Sequence, residues 1–220
     1  MSSKKILFLT AFADETQSVL KFFKNSKSLD KRLHASEAGK STVYSLETGM
    51  GFQNTKYSLE KFLSLNLEVD SIYLVGFCGS LDPDLEVGQV VSPAQVDTQS
   101  KLFSIHVEES SVRAVPKILS VDKIIRTSKE KKDYFLQTQC QIVDMESAII
   151  AEIAASRKIP LTIIKSVMDS AEHEIPQNFR QPLEEEKNLL IELKNNMKMA
   201  KERLEKDFLE SFFDRLEENK

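Results

Sequence analysis

The chain has no tryptophan, two cysteines, three histidines and six glycines in 220 residues. Each scarcity excludes something. Cys78 and Cys140 are too few for the disulfide framework of a small secreted scaffold, and both sit in apolar surroundings that suit buried thiols. A reducing, cytoplasmic location is expected. His34, His106 and His173 show no metal-ligand spacing with each other or with the cysteines, so no zinc site is expected. An excess of basic charge is also missing: 30 Lys and Arg against 34 Asp and Glu leave a net charge of −4, with no bulk attraction to nucleic acid or to an anionic membrane. The apolar run after the basic start MSSKK is short and acids follow it, which supports neither a secretion signal nor a membrane span. All six glycines lie between Gly39 and Gly88, where they mark places that a side chain would obstruct.

What is present is an alternation of apolar runs and helical patterns. KKILFL, TVYSL, DSIYLVGF, QIVDM and PLTIIKSVM read as strands, with helices predicted from about Asp14, from about Phe52 and over ESAIIAEIAAS. Runs such as ILFL, IYLV and LTII are too continuously apolar for a sheet wetted on one face. The expected architecture is therefore α/β and three-layered, a mainly parallel mixed twisted sheet flanked by helices over residues 1–180. EVGQVVSPAQV and KLFSIHVEE add short strands to it. Residues 181–220 carry 11 acids and 8 bases, and Leu190, Leu193, Met197, Leu204, Phe208 and Phe212 recur at helical spacing. They predict a long C-terminal amphipathic helix, either packed on the parent domain or available to a partner.

Three carboxylates follow apolar strands: Glu15 after ILFLTAF, Glu146 after QIVDM, and Asp169 after LTIIKSVM. Each also has a structural reading. Asp14 and Glu15 would complement a helix dipole, Asp144 would cap the helix beginning near Met145, and Asp169-Ser-Ala-Glu172 has the spacing of a capping box. Strand ends of one parallel sheet converge, however, and three acids there would line an anionic cleft. Gly49 and Gly51 suggest a dinucleotide fingerprint, but its third position is Asn54, so a tight turn where backbone approaches a small ligand or another strand is the reading preferred. Gly76-Phe77-Cys78-Gly79-Ser80 is a variant of the nucleophile elbow, with Asp169 and His173 following in hydrolase order. Leu81-Asp82-Pro83-Asp84 breaks the helix such an elbow requires, which favours a buried, unreactive Cys78. The basic run Arg126 to Lys132 lacks interleaved aromatics and reads as a solvated helix face.

Four segments in order resemble the nucleoside phosphorylase and nucleosidase family, in its methylthioadenosine/S-adenosylhomocysteine nucleosidase branch. They are ILFLTAFADET, YSLETGMGFQNTKYSLE, LVGFCGSLDPDLEVGQVV, and IVDMESAIIAEIAASRKIPLTIIKSVMDSAE. The resemblance implies that Asp169 protonates or hydrogen-bonds a purine ring nitrogen, that Glu146 holds the ribose hydroxyls, and that Glu15 activates the attacking water. It places Met145 against the sugar, and Phe77, Cys78, Gly79, Ile124 and Ile125 around the substrate. Phe77 stands where the nucleosidases have a serine that assists the aspartate, and Ile124 and Ile125 stand where the family often stacks an aromatic. The stretch from Gln89 to Asp122 is shorter than in those nucleosidases, which leaves the 5′ substituent open. Family phosphorylases carry arginines in the first loop and beside the Gly-Ser-Cys-Gly segment; here Ala11 to Thr16 and Leu74 to Phe77 hold none. Hydrolysis of a purine nucleoside by a homodimer, without metal or organic cofactor, is the implied activity. Phosphorolysis, a nucleoside-binding or assembly protein of the same fold, and a cysteine hydrolase remain the alternatives.

Overall fold

A computed structural model of the chain describes residues 4–108, 112–178 and 183–218. The expected division between residues 180 and 181 falls outside them. Among the described residues the strands, in chain order, are β1 (Lys5–Thr10), β2 (Lys27–Asp30), β3 (Leu33–Ala38), β4 (Ser41–Glu47), β5 (Ser71–Ser80), β6 (Val90–Asp97), β7 (Leu102–Ser104), β8 (Arg113–Ser120), β9 (Ile142–Asp144) and β10 (Leu161–Asp169). The α-helices are α1 (Ala13–Leu20), α2 (Phe52–Leu63), α3 (Ser128–Thr138), α4 (Ser147–Arg157), α5 (Lys187–Leu204) and α6 (Glu210–Glu218). A π-helical turn, Glu205–Leu209, joins the last two.

The strands form one mixed sheet, as the apolar runs require. β5 lies at its centre, parallel to β1 on one side and to β10 on the other, and β1 is parallel to β4. The antiparallel β2–β3–β4 meander extends the sheet beyond β4. Past β5 the order runs β9, β8, β6, and β6 returns antiparallel to β10. Because β10 also pairs with β5, this half of the sheet closes on itself, a feature that strand patterning does not encode.

Both faces are dry. In β1, Leu7 and Leu9 join one cluster with Ile72 and Leu74 of β5, covered by Leu59, Phe62 and Leu63 of α2 and by Ile150, Ala151 and Ala154 of α4. Ile6 and Phe8 point the other way with Val75 and Phe77, covered by Val19 of α1 and by the C-terminal helices. This is the period-two alternation of a strand buried on both sides, and it yields the three layers. The C-terminal stripe docks on the second face. Phe212 stands edge-on to Phe8, with ring centroids 5.3 Å apart, and to Tyr73 at 4.9 Å, while Phe213 stacks on Phe8 at 5.6 Å and on Phe22 at 5.4 Å. The wider π turn advances the helix register, so that Phe208, Leu209, Phe212 and Phe213 are all buried.

This packing makes the C-terminal helices part of the core. Phe212→Ala is expected to destabilise the fold by about 3–5 kcal/mol in denaturant titrations, and removal of residues 187–218 to abolish the cooperative transition. A truncated chain unfolding at the full-length midpoint would instead mark that segment as an independent appendage.

Candidate functional site

The carboxyl-terminal ends of β1, β5, β9 and β10 open onto a cavity of about 640 Å³. All nine residues singled out in the sequence line it: Glu15, Phe77, Cys78, Gly79, Ile124, Ile125, Met145, Glu146 and Asp169. Strand ends deliver the three acids, and each acid is held differently.

Glu15 lies in the first turn of α1, but its carboxylate folds back beneath the sheet edge. Its Oε2 accepts the Ala11 N–H at 2.6 Å, and its Oε1 accepts the Phe77 N–H at 2.7 Å. A Cβ on Gly76 would collide with that carboxylate, so this strand position admits only glycine. Burial pushes the Glu15 carboxyl up, opposed by Lys165 and by these backbone donors.

Glu146 follows β9 and reaches across to the start of α2, where its Oε1 accepts the Gly51 N–H at 2.9 Å. Gly51 has φ +83°, a conformation natural to glycine, so the tight turn read from Gly49 and Gly51 serves to hold this acid. Burial, reinforced by Asp144, raises the Glu146 carboxyl to about 7. Asp144 accepts the Ser147 N–H at 3.2 Å, as expected of a residue opening α4, and it also pairs with Lys165 Nζ at 3.1 Å. Lys165 is almost fully buried. Burial would push its ammonium down, but Asp144, Glu146 and Glu15 outweigh that and hold it above its ordinary value.

Asp169 ends β10, and here the structure corrects two expectations. A turn rather than a helix follows it, with the Ser170 N–H donated to His173 Nδ1 at 3.2 Å, so Asp169 caps nothing. The Arg126 to Lys132 run is not wholly solvated either. Lys131 is fully buried, and its Nζ lies 2.5 Å from Asp169 Oδ2. Burial raises the Asp169 carboxyl, and Lys131 opposes the rise. The strand lysine Lys165 faces Asp144.

Cys78 sits within β5, its thiol directed to the Ser166 carbonyl at 3.8 Å and pushed well above its usual range by burial. His173 Nε2 is paired with Glu192 of α5 at 2.8 Å. The elbow geometry of a cysteine hydrolase is absent from these described residues. The cavity gains walls that the sequence did not assign to a site, among them Phe12, Met50, Met168 and Ile175, together with Leu193 and Met197 from the C-terminal stripe. No group of three or more His, Cys, Asp or Glu among the described residues is arranged to hold a metal ion.

Comparison with known proteins adds the following. The family model for the phosphorylase superfamily matches residues 5–117 and 107–206. The 5′-methylthioadenosine/S-adenosylhomocysteine nucleosidase of Buchnera aphidicola subsp. Acyrthosiphon pisum (strain Tuc7) is 22% identical over 213 residues, covering 82% of this chain and 91% of that protein. The corresponding nucleosidase of Neisseria meningitidis, solved with methylthio-immucillin-A, superposes with a TM-score of 0.78 at 18% identity, covering 96% of this chain and 99% of that one. Futalosine hydrolase of Helicobacter pylori strain 26695 gives a TM-score of 0.75 at 16% identity, covering 96% and 98%. At these identities the solved structures establish the shared fold.

The electrostatics carry a stability consequence. Glu15, Glu146 and Asp169 all hold their protons more tightly folded than unfolded, so the stability they contribute is fully present below their unfolded values and is lost as pH rises through their folded ones. For Glu146 that loss spans pH 4.5 to about 7. The melting temperature of Glu146→Gln is expected to depend less on pH across this window than that of the parent protein. Equal slopes would show that Glu146 does not titrate there.

Proposed function

The chain belongs to the phosphorylase superfamily, and on that premise we propose that it is a purine nucleosidase, hydrolysing the N-glycosidic bond of a methylthioadenosine-like or otherwise modified nucleoside. One observation carries this reading: Glu15, Glu146 and Asp169, far apart in the chain, line a single cavity. Breaking an N-glycosidic bond builds positive charge on the ribose, which nearby carboxylates stabilise best where water is excluded. Glu146, fixed by the Gly51 N–H, is the acid that holds the ribose hydroxyls, with Met145 against the sugar. Glu15 orients the water. As the bond from C1′ to the base breaks, the water oxygen bonds to C1′ and its proton passes to Glu15. The Asp169 proton goes to the departing ring nitrogen, and solvent exchange resets both acids. Phe77, Cys78, Gly79, Ile124 and Ile125 complete the surround of the substrate. The names of the relatives, a nucleosidase and a hydrolase, support the same reaction type.

Hydrolysis is favoured over phosphorolysis by the lining. Among its described residues Lys123 is the one lysine or arginine, and it is engaged with Glu130 at 3.4 Å and with the Tyr134 ring. An incoming phosphate would meet Glu15 instead of a cationic cradle. Phe12, Met50, Met168, Leu193 and Met197 make an apolar wall suited to an uncharged 5′ group. The reading includes a homodimer and a cytoplasmic setting. Met50, at the cavity, is 57% exposed and Tyr57 is 70% exposed, leaving apolar surface for a second copy; both cysteines are free.

Purified protein is expected to release free base from a purine nucleoside equally well with and without phosphate, and Asp169→Asn to lower turnover by about 10²- to 10⁴-fold with the fold intact. Phosphate-dependent release, or full activity in Asp169→Asn, would overturn this assignment.

A further inference from the structure

Lys131 is fully buried, on the face of α3 that it shares with Tyr134 and Phe135. Its ammonium has three donors and meets three acceptors: Asp169 Oδ2 at 2.5 Å, the Ser170 carbonyl at 2.7 Å and the His173 carbonyl at 2.9 Å. With its donors used, Lys131 has none to offer a ligand. It instead ties α3 to the end of β10 and to the turn that follows. Among the described residues no hydrogen bond reaches Asp169 Oδ1, although Asp169 lines the cavity. A buried ion pair is a poor source of net stability, since desolvation of two charges offsets their attraction. The effect of this pair therefore falls on the site.

We propose that Lys131 is a positioning residue for Asp169: it pins the carboxyl through Oδ2, leaves Oδ1 to the purine ring nitrogen, and sets by its charge the pH at which that acid is spent. The inference rests on the nucleosidase reading and deepens it. The groups facing Asp169 are few. Lys131 comes from α3, the Cys78 thiol from β5, and His173 from the following turn, itself paired with Glu192 of α5. Lys165, on the same strand as Asp169, is paired with Asp144. Burial and Lys131 pull the acid in opposite directions, so removing the lysine charge leaves burial unopposed and Asp169 keeps its proton to higher pH.

The test uses the full-length protein as Lys131→Met and Lys131→Arg, with Lys131→Gln replacing Met should that variant fail to fold. The first readout needs no substrate: the carboxyl carbon of Asp169 is titrated by NMR and assigned by its loss in Asp169→Asn. Its midpoint is expected to rise by about one to three pH units in the neutral variant and to stay near the parent value in Lys131→Arg. The second readout is kcat/KM for base release against pH. Its alkaline limb should move upward by the same amount in Lys131→Met and return in Lys131→Arg. An unmoved carboxyl titration overturns the role of Lys131, whatever the activity. Absence of base release by the parent protein, with the titration shifted, overturns the nucleosidase reading instead.

Discussion

Four carboxyl groups, Glu15, Asp144, Glu146 and Asp169, are sunk into one end of the sheet, where taking charge out of water is expensive. Two buried lysines and a set of backbone N–H groups compensate them. Lys165 serves the cluster on the β9 side, and Lys131 serves Asp169 from α3. The backbone donors of Ala11, Phe77 and Gly51 fix where the Glu15 and Glu146 oxygens can sit. The rest of the architecture follows from this constraint. The strands must be apolar on both faces to keep the site dry, and the loops at their ends must approach closely enough to donate. One strand position, Gly76, must carry no side chain at all, because the carboxylate occupies that space.

Much of this was legible in the residues. Unbroken apolar runs such as ILFL and LTII required a sheet covered on both sides, and acids placed directly after such runs had to gather at its carboxyl edge. Glu15, Glu146 and Asp169 therefore meet as expected. Lys131 was hidden because KEKKD looks like solvent-facing charge. Only its spacing of three and four from Tyr134 and Phe135 points inward. Met168 reads as the end of a core strand, and strict alternation would turn it away from Asp169; the register irregularity between Val167 and Asp169 lies where both come to line the cavity, and no local pattern encodes it. The closure of β5, β9, β8, β6 and β10 into a ring depends on β6 pairing antiparallel to β10 far along the chain, and no local pattern carries such a long-range choice.

The charged C-terminal segment shows how one stripe can serve two purposes. Its phenylalanines, brought into register by the π turn, cover the sheet face opposite α2 and α4. Nearer the cavity, Leu193 and Met197 of the same helical face become wall, and Glu192 grips His173 in the turn that Lys131 also anchors. Packing and site are thus continuous, and helical periodicity could identify the stripe without saying where core ends and cavity begins.

That continuity has a bearing on biosynthesis. Glu15 leaves the ribosome well before Leu193 and Met197, which complete the wall of its cavity. A nascent chain holding every acid would still lack that part of the wall. The hollow would then be sealed only when the aromatic helix seats itself against the sheet.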